Sequence, residues 1–248
     1  MATLKILAAL LHYPNEALQK HADELTEALR AEQLLTGERC EAVAGFIAWL
    51  RDSDLLDLQA EYVETFDRGR SRSLYLYEHV HGESRERGPA MVELAQIYRA
   101  HGFEIATVEL PDYLPLFLEF IASLPLDEAL GWLEEIAHVL QVLHARLIAR
   151  NSRFAVIMEP LVRLAGLAPE DAVQQQVAKE APDDTPEALD RAWVDAPVRP
   201  DQRGPGSAAR RACAAGRNGG RGGVRARQRF EPALAAAVGM VTDLTGKA

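Results

Sequence analysis

Apolar residues recur at three- and four-residue spacing from the first residues to about position 167, and no second segment alternates apolar with polar residues. A strand needs a partner strand, so a chain with one candidate strand at most cannot build a sheet. The sequence therefore predicts an all-α protein: a single multi-helix globular domain over 1–198, followed by a disordered tail over 199–248. With 48% hydrophobic and 26% charged residues among 248, the first part can bury a core without metal or disulfide staples.

The spacing places helices over 4–11 and 15–35, with Tyr13-Pro14-Asn15 as break and restart. A further helix covers 39–51, with Val43, Phe46, Ile47 and Leu50 on one face. Asp54 is positioned to cap the next, whose stripe is Leu55, Leu58, Tyr62 and Phe66. The run Asp67-Arg68-Gly69-Arg70-Ser71 stops it. SLYLYEHVHG, at 73–82, reads as a short helix or an ordered loop. Helical spacing resumes at Arg87 with Met91, Leu94, Ala95 and Tyr98, and Gly102 makes a stop. A helix follows Pro111, with Asp112 expected to cap it. The longest helix is expected from Asp127 to about Arg150, and another over 152–167, kinked near Pro160. Pro182 to Pro186 begins a polar descent.

Charge divides the chain. Residues 1–198 hold 17 basic and 34 acidic residues, a net of −17, whereas 199–229 alone carry nine arginines, seven glycines and one acid, Asp201. The acidic part repels nucleic acid and anionic membranes and favours basic partners. The tail cannot form a core. It reads either as an Arg/Gly-rich RNA-binding segment, which would make the chain an acidic adaptor, or as an out-of-frame translation of GC-rich DNA. Cys40 and Cys213 lie too far apart in sequence for a CxxC pattern, which suits a reducing compartment. The first residues lack the marks of a signal peptide, and no uncharged apolar run approaches the ~20 residues of a membrane span. A cytoplasmic protein is expected.

Chemistry-bearing motifs are sparse. There is no nucleophile elbow, zinc-protease, P-loop or dinucleotide signature. His79 and His81 form an HxH pair without further ligands, so local hydrogen bonding competes with metal binding. Glu109 and Asp112 flank Pro111 as an acid/base pair or, for Asp112, a helix cap. Arg68, Arg70 and Arg72 read as an anion site or as an ion-pair cluster with Glu64 and Asp67.

One long block is more specific. YVETFDRGRSRSLYLYEHVHGESRERGPAMVELAQIYRAHGFE (62–104), then ELPDYLPLFLEF (109–120), with LLHYP at 10–14, closely resembles the respiratory nitrate reductase assembly chaperones of the delta-subunit type, within the molybdoenzyme maturation chaperones. The resemblance runs to about Val198 and not into the tail. It implies an all-helical fold, no enzymatic activity and no resident cofactor. It further implies cytoplasmic binding of the immature catalytic (alpha) subunit of nitrate reductase until the molybdenum cofactor is inserted and the complex assembles. The matching residues include Ser73, Leu74, Gly88 and Pro115, and those expected to bind the partner are Tyr62, Phe66, Asp67, Tyr75, Glu78, Arg87, Met91, Glu109, Pro111 and Asp112. Tyr113 departs from the histidine that often follows the Pro-Asp pair in the wider family. Given that resemblance, Tyr62, Phe66, Tyr75 and Met91 are expected to form the apolar wall of a groove for an amphipathic helix, in an N-terminal segment of the target. Glu78, Glu109 and Asp112 would pair with its basic residues.

Overall fold

The computed structural model describes residues 1–80, 87–106 and 108–192, and the arginine-rich tail and His81 lie outside them. Among the described residues the protein is all-α, with thirteen helices and no strand; one isolated antiparallel bridge, Tyr75 to Tyr113, replaces a sheet. The helices are α1 Ala2–Leu10, α2 Glu16–Lys20, α3 Ala22–Glu32, α4 Glu38–Asp52, α5 Leu55–Tyr62, α6 Leu76–Val80 and α7 Arg87–Ala100. They continue as α8 Leu114–Ala122, α9 Leu126–Glu135, α10 Ala137–Ala149, α11 Ala155–Leu164, α12 Asp171–Val177 and α13 Pro186–Ala192.

The centre is set by hydrophobicity on all sides. In α8, Leu114, Pro115, Leu116, Phe117, Leu118, Phe120, Ile121 and Ala122 are all buried, and α1 buries seven of its nine residues against it. A helix apolar all round belongs inside a bundle, because each Leu, Ile or Phe so buried contributes about 1.5–3 kcal/mol. Around this pair α3 packs on α1 and α9 on α8, while α4 packs on α3 and α11, and α10 on α11 and α12. Phe154 meets both Phe46 and Phe66, with ring centroids 5.3 Å from Phe46 and 4.9 Å from Phe66.

Local signals act largely as their chemistry dictates. Asn15 accepts from the Leu18 N–H at 2.9 Å, and Asp54 accepts from the N–H groups of Leu56 and Asp57 at 2.9 and 3.3 Å. Gly102 ends the α7 segment in the left-handed region, at φ 74°. Pro160 sits inside α11.

Three expectations are corrected. The helix over 15–35 is two, broken at His21, and the long helix from Asp127 is two, broken at Ile136 (φ −102°, ψ 8°) with neither Gly nor Pro to mark it. Two short helices that the sequence reading did not single out, α12 and α13, follow α11. Asp112 does not cap α8: Tyr113 occupies that position without a side-chain bond, and Asp112 instead serves the start of α6.

That last exchange organises the fold around 71–80. The Leu76 N–H donates to Asp112 O at 2.9 Å, the Tyr77 N–H to Asp112 Oδ2 at 3.1 Å, and the Leu114 N–H to Leu74 O at 2.8 Å. These bonds tie the turn before α6 to the turn before α8. Residues 73–80 of the stretch ambiguous in sequence form an ordered turn and a short helix because a remote segment satisfies their backbone.

Candidate functional site

Among the described residues of 62–113, side chains gather into two clusters. The first is a tyrosine cluster with acids at its edge. Tyr62 donates to Leu11 O at 3.0 Å, and its hydroxyl lies 3.0 Å from that of Tyr113. The Tyr75 ring centroid is 5.3 Å from that of Tyr113, and the Tyr75 hydroxyl donates to Glu109 Oε2 at 2.7 Å. Asp67 is exposed near Glu109. Partial burial and the like charge of Glu109 raise the Asp67 pKa above the usual carboxylate range. Burial likewise pushes the Tyr62 and Tyr113 phenols up, so both act as neutral hydrogen-bonding groups.

The second cluster is ionic. Arg87 reaches Glu78 at 3.2 Å and Asp112 at 3.6 Å, spanning α6, α7 and the turn before α8. Asp112 is fully buried. Burial raises its pKa; the Tyr77 N–H and Arg87 oppose this. Its Oδ1 and the Arg87 Nε have no hydrogen-bond partner among the described residues. Tyr98 closes this side by donating to Pro111 O at 2.7 Å. His79 bonds locally, its Nε2 lying 2.8 Å from Ser73 O.

A profile of the family described as nitrate reductase delta subunit matches residues 12–158. The nitrate reductase molybdenum cofactor assembly chaperone NarJ of Escherichia coli (strain K12) is 48% identical over 200 residues, covering 80% of this chain and 85% of that protein. The probable nitrate reductase molybdenum cofactor assembly chaperone NarW of the same strain is 40% identical over 200 residues, covering 80% and 84%. A probable NarJ of Bacillus subtilis (strain 168) is 29% identical over 160 residues, covering 64% and 86%.

This chain belongs to the nitrate reductase delta subunit family.

All ten candidate residues fall inside the family's matched stretch, but the structure gives them different standing. Tyr62 and Phe66 are core residues, each 4% exposed, and so hold up the surface instead of forming the groove wall expected of them. Asp112 is inside as well, a support for α6. Asp67 is exposed, and Tyr75, Glu78, Arg87, Met91, Glu109 and Pro111 are half-buried. Exposed Val63, Val108 and Leu110 lie in sequence beside Asp67 and Glu109, apolar neighbours that helical spacing alone did not single out. Tyr113 fills its place without an imidazole, yet His12 brings one against it, with ring centroids 5.3 Å apart.

Sequence reasoning also missed what holds the turn before the block's central helix. Arg72, 3% exposed, donates to Thr65 O at 2.8 Å and to Asp184 at 2.9 Å, and Asp184 also pairs with Arg150. Asp183 accepts from the Ser71 N–H at 2.7 Å and from its hydroxyl at 2.9 Å. Arg146 donates to Ser71 O at 2.8 Å and pairs with Glu180 at 2.9 Å. Of the partners expected in the nearby sequence, Glu64 serves Arg68, at 2.7 Å. A Cβ at Gly69 would fall 2.6 Å from Asp183 Oδ1. Gly69→Ala is therefore expected to displace that carboxylate and cost about 1 kcal/mol, the worth of a lost hydrogen bond. Urea denaturation measures this, and an unchanged midpoint would show that Asp183 moves freely.

Proposed function

We propose that this chain is a system-specific, non-enzymatic chaperone, working in the cytoplasm, that binds the immature catalytic subunit of a respiratory nitrate reductase. It keeps that subunit competent for molybdenum cofactor insertion and complex assembly. Family membership supports the class of function, and the Asp67–Glu109 pair is the observation that carries the contact. Carboxylates at the edge of an aromatic cluster suit pairing with a lysine or arginine of a target and fix its register. Val63, Val108 and Leu110 offer apolar area beside that charge, which suits an amphipathic basic segment, such as an N-terminal one of the target. The net −17 of residues 1–198 adds long-range attraction.

Titration calorimetry of the full chain with an N-terminal peptide of the nitrate reductase catalytic subunit tests this. One-to-one binding is expected, with Asp67→Asn and Glu109→Gln each weakening it about tenfold, the upper part of what a partly exposed charge pair contributes. Raising salt from 0.05 to 0.5 M should weaken it further, because steering is screened beyond ~8 Å at physiological ionic strength. Salt-independent binding, or binding untouched by both substitutions, would remove the acidic pair from the interface. Truncation after Val198 is expected to leave affinity unchanged; loss of binding on truncation would give the tail a part in it.

A further inference from the structure

A separate concavity of about 610 Å³ opens where the start of α4 meets α10 and α11. Its size is that of a small-molecule site. The lining combines three kinds of donor. The first is the N-terminus of α4, a fifteen-residue helix entered through Gly37 at φ 60°, with no side chain capping it. Its first-turn N–H groups have no carbonyl four residues back within the helix, and they carry the positive end of its dipole.

The second is a held pair of guanidinium groups. Arg39 and Arg163 both donate through Nε to Glu159 Oε1, at 3.2 and 2.9 Å. One carboxylate thus fixes two arginines and leaves the triad with a net positive charge. Their terminal NH2 groups have no acceptor among the described residues. The third is His144, 5% exposed, which lines the concavity and makes no hydrogen bond to any described residue. Its ring nitrogens, not engaged by any described residue, can meet a ligand in the concavity. Burial, aided by Arg163 and opposed by Glu159, lowers its pKa and keeps it neutral.

These donors outnumber what the two oxygens of a carboxylate accept, and they match the three of a phosphate group. Apart from Thr36 and Glu38 the rest of the lining is aliphatic, with Ala42, Ile148, Val156 and Pro160 and no Phe, Tyr or Trp on which a base would stack. We propose that this concavity binds a small phosphate monoester with an aliphatic body, its oxygens accepting from the first turn of α4, from Arg39 and Arg163, and from His144. Glu38 on the rim opposes the anion and limits its affinity. The site is independent of the chaperone reading, and either holds without the other.

The full chain is titrated with n-butyl phosphate while the histidine ring signals are followed by NMR. A saturable shift of the His144 signals is expected, with its pKa rising on binding. Arg163→Gln should weaken binding about tenfold, the loss of one charge-assisted contact. Ala42→Phe, at an exposed position, should block the mouth and abolish binding while leaving the melting temperature unchanged. Glu38→Gln should tighten it severalfold. If Arg163→Gln does not fold, Arg39→Gln takes its place. Equal affinity for inorganic phosphate would overturn the part assigned to the aliphatic lining, and equal affinity for butyrate would overturn the choice of phosphate. No shift of His144 at millimolar ligand, or binding that survives Ala42→Phe, would overturn the site itself.

Discussion

Arg72→Met is expected to destabilise the protein by about 3 kcal/mol at pH 7, within the 3–5 kcal/mol lost when one partner of a buried ion pair is removed. The guanidinium has only 4% of its side chain exposed and serves Thr65 O, Asp184 and, at 3.7 Å, Asp183. Without it the Thr65 carbonyl loses its donor, and Asp184, 9% exposed, keeps only Arg150. That surviving partner sets the expected loss at the lower end. Arg72→Lys keeps the charge but cannot reproduce the forked bonds, so most of the loss should remain. The control is Arg68→Met, whose pair with Glu64 is more than half exposed and should contribute no more than about 1 kcal/mol. Urea denaturation of all three decides it. If Arg72→Met proves no worse than Arg68→Met, the 180–184 segment is not held by this ion pair, and its docking rests on the Ser71–Asp183 bonds, on Arg146 bridging Ser71 to Glu180, and on Arg150.

Why Arg72 escaped the sequence shows where such reading ends. Apolar spacing is a property of one helix against a core, so α1, α4, α5, α7, α8 and α11 were legible from their stripes, and Asn15, Asp54 and Gly102 from capping and turn chemistry. Arg72 is decided by a carboxylate 112 positions away, and nothing local distinguishes it from Arg68. Asp112 was legible as a cap, but the helix it caps lies 36 residues earlier in the chain. The break at Ile136 carries no glycine or proline, and α9 and α10 present Leu133 and Ala137 to the core on both sides of it, so one continuous stripe described two helices. The candidate site divides in the same way. The block that carries the family likeness does contain the surface acids Asp67 and Glu109. A stripe of Tyr62 and Phe66, however, reads alike whether its apolar face meets a partner or Phe154, and here it meets Phe154.

A second large effect should appear only with pH. Glu119 lies on the central helix α8, and burial pushes its carboxyl from 4.5 up to about 7, with Lys5 weakly opposing. His12 Nε2 is 3.8 Å away, and burial pushes that imidazole down to about 3. Because the folded carboxyl holds its proton more tightly than the unfolded one, the chain is favoured below pH 4.5 and loses this contribution as pH rises through 7. At ~1.4 kcal/mol per pH unit across that window, ionised Glu119 costs about 2–3 kcal/mol at pH 8. Glu119→Gln is therefore expected to raise stability by about that amount at pH 8 and to change little at pH 4.5. His12 acts with the opposite sign, losing stability as pH falls from 6.5 towards 3, and it is present in both proteins. The difference between their stability curves consequently isolates Glu119. Should the substitution instead destabilise at neutral pH, His12 and Glu119 are a charged pair in the core, and the imidazole beside Tyr113 is protonated in the native protein.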